Sequence, residues 1–220
     1  MEADARSRMD AMPKIVSAER KESVALAAQV ILNGGVVVYP TETVYGLGAN
    51  ALDAKAIQQV FELKQRNKSN PILVLTPTRD AIEALVRNIP EVAEVLMDKF
   101  WPGPLTIVFK ASPIVSPILT ARTGKLGIRL SSNEFCRELL SICKIPITST
   151  SANLTGEPNT DSINTINRTV LDSVDLIVDN GKLGSPIPST IVDVATGKMK
   201  LIREGVIPFA DIEETIKEGN

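Results

Sequence analysis

Chemistry-bearing side chains cluster in short polar loops that follow apolar, β-branched runs. Lys64, Arg66 and Lys68 place three cations within five residues, just before Asn70-Pro71 and an apolar strand. Guanidinium groups pair bidentately with phosphate oxygens, so this cluster could clamp a triphosphate. The plain alternative is a helix C-terminus whose dipole is complemented by cations. Thr148-Ser149-Thr150-Ser151-Ala152-Asn153 stacks four hydroxyls and an amide before Gly156, as a pocket does when it must match a ligand's polar atoms one by one. Residues 40–46, PTETVYG, offer the hydroxyls of Thr41 and Thr43 and the carboxylate of Glu42, in a segment that could equally be an ordinary solvated turn. Arg129 closes an apolar strand, where a buried cation is costly without an anionic partner, so it suits a ligand carboxylate. Ser189-Thr190 before one strand and Arg203-Glu204-Gly205 after another complete the set. In α/β proteins ligands gather at such loops, because main-chain donors and helix N-termini converge there.

Other motifs point away from alternatives. There is no GxxxxGK[ST] phosphate loop. Residues 46–51, GLGANA, fit a loose dinucleotide pattern, but Pro40 interrupts the strand that should precede it, and position 68 is a lysine where an acid should hold ribose. The glycine pair reads better as a turn beside a pocket. Trp101 beside Pro102-Gly103 could be a stacking platform or core packing. Cys136 and Cys143, seven apart in a helical pattern in a chain without histidine, read as buried free thiols rather than a metal site.

The elements that must position these loops alternate along the chain. Helical spacing of Val24, Ala27, Ala28 and Ile31 ends at Gly34-Gly35, and strand 36–39 follows. Asp53 is an N-cap for helix 53–64. Then come strand 72–75, helices 79–86 and 91–100, and strands 105–110 and 126–130. Ser131 with Glu134 suggests a capping box for a helix reaching Cys143. Strand 145–149, helix 161–171 and strands 176–179, 191–194 and 200–203 complete the order. Interleaved strands and helices imply an α/β fold layered around one sheet, and the late run of strands makes that sheet mixed.

Composition sets the outer bounds. With 220 residues, 44% of them hydrophobic, the chain can bury one substantial core, so one domain is the expectation. A net charge of −2 excludes the overall electrostatic footprint of a dedicated nucleic-acid binder, so any RNA contact must be local. The first 12 residues lack the apolar core of a secretory signal and read as a flexible tail. No run is long enough for a membrane span, and two thiols suit a cytoplasmic setting without membrane contact.

Taken together the loops resemble the YrdC-like family of threonylcarbamoyl-AMP synthases, through PTETVYGLG (40–48), KQR (64–66), NPI (70–72), WPGPLT (101–106), GIRL (127–130), TSAN (150–153), STIVD (189–193) and REG (203–205), in order over residues 15–209. The resemblance implies a single α/β domain over residues 13–212 in its short form, with 213–220 as a C-terminal tail and a twisted mixed sheet flanked by helices around a large concave cavity. It implies an L-threonylcarbamoyladenylate synthase, a nucleotidyltransferase: the amine of L-threonine captures bicarbonate as a carbamate, which attacks the α-phosphate of ATP and expels pyrophosphate. A partner threonylcarbamoyl transferase complex would carry the group to the tRNA adenosine beside the anticodon. Carried over by position, Lys64, Arg66, Asn70, Thr120, Ser151, Asn153 and Arg203 would surround ATP with Mg²⁺ on its phosphates. Lys64, Arg66, Ser151 and Asn153 would carry the catalysis, and Thr41 or Thr43, Arg129, Ser149 and Ser189 would hold threonine. No protein side chain is expected to ligate metal.

Two departures stand out. Many relatives have a histidine a few residues after the Asn-Pro step, where this chain has Leu75, and many have proline where Glu204 follows Arg203. Rival readings are a tRNA- or double-stranded-RNA-binding module, a relative with another amino-acid or carbamoyl substrate, and carbamoyl-adenylate chemistry of the hydrogenase-maturation type. The last is normally accompanied by acylphosphatase and zinc-finger segments, neither of which is present in these 220 residues.

Overall fold

The structure, a computed structural model, describes residues 13–67, 69–184 and 186–218. The expected N-terminal tail and Lys68 lie outside the described residues. Among the described residues, eleven strands form two mixed sheets rather than one. The first contains, in spatial order, β1 (Lys14–Ser17), β9 (Leu176–Asp179), β2 (Val37–Tyr39), β3 (Gly46–Gly48) and β8 (Thr150–Ser151). The second contains β11 (Lys200–Arg203), β10 (Thr190–Asp193), β5 (Leu105–Lys110), β6 (Lys125–Arg129), β4 (Val74–Leu75) and β7 (Ile147–Thr148). β7 and β8 are separated by Ser149 alone, so the chain steps from one sheet to the other inside the hydroxyl-rich loop. Ser149 N–H donates to Leu73 O at 2.9 Å, and Ala152 N–H to Tyr45 O at 2.8 Å, which ties this seam to both sides.

Helix α1 (Lys21–Leu32) buries Val24, Ala27, Ala28 and Ile31, and stops at Asn33 where Gly34 turns with φ +82°. It packs with α4 (Glu134–Cys143), β2 and β9 in a core that includes Phe135, Leu139, Val37 and Leu176. Helix α2 (Ala54–Leu63) buries Ala56, Ile57, Val60 and Phe61 in the larger core, and the Asp53 carboxylate accepts from Lys55 N–H at its start. Helix α3 (Glu91–Phe100), opened by Pro90, adds Ala93, Leu96 and Met97. Trp101 is core: its Nε1–H donates to Leu105 O at 2.7 Å. Cys136 and Cys143 are buried free thiols on one side of α4.

Several local expectations change. The Gly46-Gly48 segment is strand rather than turn, and its glycines make room for a ring. A Cβ at Gly46 would lie 3.3 Å from Tyr39, and one at Gly48 2.7 Å from it. The N-cap of α4 is Asn133, whose Oδ1 accepts from Cys136 N–H, while the Ser131 hydroxyl points instead to Glu42. Residues 79–86 yield only a 3-10 turn, Asp80–Ile82. The helix expected over 161–171 is split into a 3-10 turn, Ile163–Thr165, and α5 (Arg168–Asp172), because Ser162 and Asn167 each cap a local N–H. Helix α6 (Phe209–Glu218) takes in residues 213–218 of the expected C-terminal tail, buries Ile212 and rests Phe209 and Ile216 on the larger core at helical spacing; residues 219–220 lie outside the described residues.

Candidate active site

A cavity of about 340 Å³ opens at the seam between the sheets, a size suited to a small-molecule ligand. Its floor is one face of the second sheet. Lys125, Gly127 and Arg129 alternate along β6, with Thr106 and Val108 on β5 and Ile191 and Asp193 on β10 beside them. The first sheet and its loops contribute Thr41, Thr43, Val44, Ser149 and Ser151, and Arg66 and Arg203 reach in from opposite flanks.

At the β6 end, Arg129 is buried, and its Nη1–H donates to Glu42 Oε1 at 2.8 Å and to Thr43 Oγ1 at 3.3 Å. Its Nη2 reaches Ser149 Oγ only at 3.5 Å, and its buried Nε has no partner among the described residues. A buried donor without an acceptor is costly, and this one belongs to a side chain that lines the cavity. Thr41 Oγ accepts from the N–H groups of Thr43 and Val44 and donates to Val44 O at 2.7 Å, so its hydroxyl staples the loop. Thr43 is the threonine hydroxyl that faces Arg129.

Arg66 leaves the end of α2, and Nε and Nη2 are fixed by the carbonyls of Asn70 (3.0 Å) and Pro71 (2.9 Å). Arg203 is fixed by Ser189 O at 2.8 Å, and the Ser189 hydroxyl shares a hydrogen bond with Thr106. Burial holds both guanidinium groups below their ordinary pKa, with the Arg129 charge adding to the effect at Arg203. Gly205 makes that flank possible, because a Cβ there would sit 2.1 Å from Pro188 O. Lys125 pairs with Asp193 at 2.6 Å, a feature the sequence reading missed. Once Arg129 was placed, the two-residue period of a strand already pointed to Gly127 and Lys125 on the same face.

Four of the expected residues do not line the cavity. Lys64 is fully buried behind its wall, with Nζ donating to Ser151 O (2.5 Å), Asn153 O (2.7 Å) and Asn153 Oδ1 (3.0 Å). Burial, and then the neighbouring Arg66 charge, bring its pKa down to about 7, with Glu157 opposing. Asn153 is consumed in the same network, since its amide donates to Glu157 O and Pro158 O and its Oδ1 also accepts from Ser151 Oγ. Both side chains therefore belong to the network that sets Ser151, and neither lines the cavity. Asn70 acts through its backbone carbonyl on Arg66, and the Thr120 hydroxyl turns to Pro117 O. Leu75, at the place of the expected histidine, is buried in the smaller core and does not reach the cavity.

The motif order and this geometry together suggest a known family. The Sua5_yciO_yrdC family model, described as Telomere recombination, matches residues 29–205. The chain belongs to the Sua5/YciO/YrdC family. A threonylcarbamoyl-AMP synthase of Pyrococcus abyssi is 36% identical over 195 residues, covering 89% of this chain and 57% of its own length. A putative threonylcarbamoyl-AMP synthase of Methanocaldococcus jannaschii is 38% identical over 191 residues, 87% of this chain and 89% of that one. Among solved structures, P. abyssi Sua5 complexed with L-threonine superposes with a TM-score of 0.89 at 35% identity, over 93% of this chain and 61% of that one. The chain thus spans somewhat more than half the length of its P. abyssi relative. Among the described residues no helix is long and apolar enough to cross a membrane.

Proposed function

We propose that this protein is an L-threonylcarbamoyladenylate synthase, a nucleotidyltransferase acting on L-threonine, bicarbonate and ATP. The observation that carries the proposal is the buried Arg129, which lines a cavity flanked by Arg66 and Arg203 and whose Nε finds no acceptor among the described residues. An amino acid's α-carboxylate satisfies the first, and a polyphosphate suits the other two. The names of the P. abyssi and M. jannaschii relatives, and the threonine bound to P. abyssi Sua5, support the same substrates.

In this reading threonine's carboxylate lies on Arg129, with Thr43, Ser149 and Ser189 beside it. The amine and bicarbonate give a carbamate and water. A carbamate oxygen then bonds to the α-phosphorus as the bond to the pyrophosphate leaving group breaks. Arg66 and Arg203 offset the charge that develops on the phosphates, and Ser151, held by Lys64 and Asn153, lines the path between them. Catalysis is positioning and electrostatics, and no side-chain nucleophile takes part. Among the described residues no three His, Cys, Asp or Glu side chains come together as a metal site. A Mg²⁺ ion accompanying ATP would be held by phosphate and water, and it would supply charge neutralisation. A tRNA-modifying transferase consumes the product.

The test is pyrophosphate release by the purified chain with ATP, Mg²⁺ and bicarbonate. Release is expected only with L-threonine. Release with another amino acid changes the substrate, and ATP binding without any release would favour the RNA-binding reading.

A further inference from the structure

Among the described residues, the four cations that line the cavity are not equivalent. Arg66 is held by the carbonyls of Asn70 and Pro71, and Arg203 by the carbonyl and, at 3.4 Å, the hydroxyl of Ser189, so neither has a carboxylate partner among the described residues. Arg129 is instead ion-paired with Glu42, whose side chain is 13% exposed, at 2.8 Å. Glu42 is itself clamped: Oε1 accepts from Arg129, Oε2 accepts from the hydroxyl of the fully buried Ser131, and its loop is stapled by Thr41. Glu42 engages Nη1, so the guanidinium edge without a carboxylate partner among the described residues is the one formed by Nε and Nη2, whose two N–H groups run parallel and match the two oxygens of one carboxylate.

We infer that Glu42 is a positioning and specificity residue that divides the cavity by charge, turning the Arg129 end into a subsite for a monoanionic carboxylate and leaving the polyphosphate to Arg66 and Arg203. Three uncompensated arginines around one cavity would hold a polyphosphate in several registers, including one that occupies the amino-acid end. The fixed carboxylate beside Arg129 repels a multiply charged phosphate at that end, whereas a single carboxylate can share the guanidinium with it. Glu42 also fixes the orientation of the guanidinium plane, which determines where the ligand's α-carbon, and hence its amine, must lie.

The inference rests on the assignment of Arg129 to the amino-acid carboxylate, so the experiment reads binding rather than turnover. Calorimetric titrations of L-threonine are made with and without saturating inorganic pyrophosphate, on the wild type, Glu42→Gln, Glu42→Asp and Ser131→Ala. In the wild type, pyrophosphate leaves threonine affinity unchanged. In Glu42→Gln it lowers the apparent threonine affinity on the order of tenfold, as negative coupling between ligands sharing a subsite does. Glu42→Asp retains the charge and restores independence. Ser131→Ala also retains it, so threonine binding weakens through lost orientation with no competition from pyrophosphate. Independence of the two ligands in Glu42→Gln, or competition in Ser131→Ala equal to that in Glu42→Gln, overturns the inference. If the wild type binds no L-threonine, the functional reading fails instead, and the charge division is still read from whether Glu42→Gln binds a second pyrophosphate.

Discussion

Replacing Lys64 by methionine separates a lysine that touches nucleotide from one that builds the wall behind it. The methionine fills much of the same volume but leaves the carbonyls of Ser151 and Asn153 without their donor, while Asn153 Oδ1 keeps its bond from Ser151. Each orphaned buried carbonyl costs about 1–3 kcal/mol. Relief of the ammonium's burial offsets part of this, leaving a net loss of about 2–4 kcal/mol. For a chain of this size that lowers the melting temperature by roughly 4–16 °C. The assay is thermal unfolding of wild type and Lys64→Met without any ligand, followed by ATP titration well below both transitions. The structure predicts a destabilised ligand-free protein. An unchanged melting temperature, with ATP binding alone impaired, would refute the scaffold assignment and return Lys64 to the nucleotide.

The same lysine gives a pH dependence. With its folded pKa near 7 and its unfolded value at 10.5, the unfolded chain binds the extra proton between these limits, so its contribution to stability is lost as pH falls through 7 and grows above it. The slope of melting temperature against pH between 7 and 9 should be less positive in Lys64→Met than in wild type. Cys136 acts oppositely: burial pushes its thiol up from 9 to about 12, so its contribution is present below pH 9 and is lost as pH rises towards 12, a loss that Cys136→Ala should reduce in alkaline unfolding. Gly205→Ala drives a Cβ to 2.1 Å from Pro188 O and should cost about 1–3 kcal/mol by chemical denaturation, with weakened ATP binding because Arg203 shifts. Arg203→Met should weaken ATP while sparing L-threonine, and Arg129→Met should do the reverse; calorimetry with each ligand checks both.

Much of the site was legible because strands end where ligands bind, and the loops that follow them carry unusual polarity. Arg66, Arg129, Ser149, Ser151, Ser189 and Arg203 were all singled out, and all line the cavity. What sequence could not show was direction. Lys64 lies two residues before Arg66, yet the turn at the end of α2, where Gln65 has φ 48°, sends one cation into the cavity and the other behind it. Lys125 and Asp193 escaped because an ion pair between β6 and β10 across β5 depends on spatial strand order, which is non-sequential here. The division into two sheets was hidden for the same reason, since a single residue, Ser149, separates strands that pair on opposite sides. Strand β1 was missed because its residues are half-exposed at a sheet edge. Helix α6 was missed because only Phe209, Ile212 and Ile216 mark its buried side.

The most direct test of the central claim is mass spectrometry of the reaction product made with ¹³C-bicarbonate, L-threonine, ATP and Mg²⁺. The account predicts threonylcarbamoyl-AMP carrying the label in its carbamoyl carbon, together with pyrophosphate. Formation of ADP and phosphate, or of an unlabelled threonyl adenylate, would contradict it.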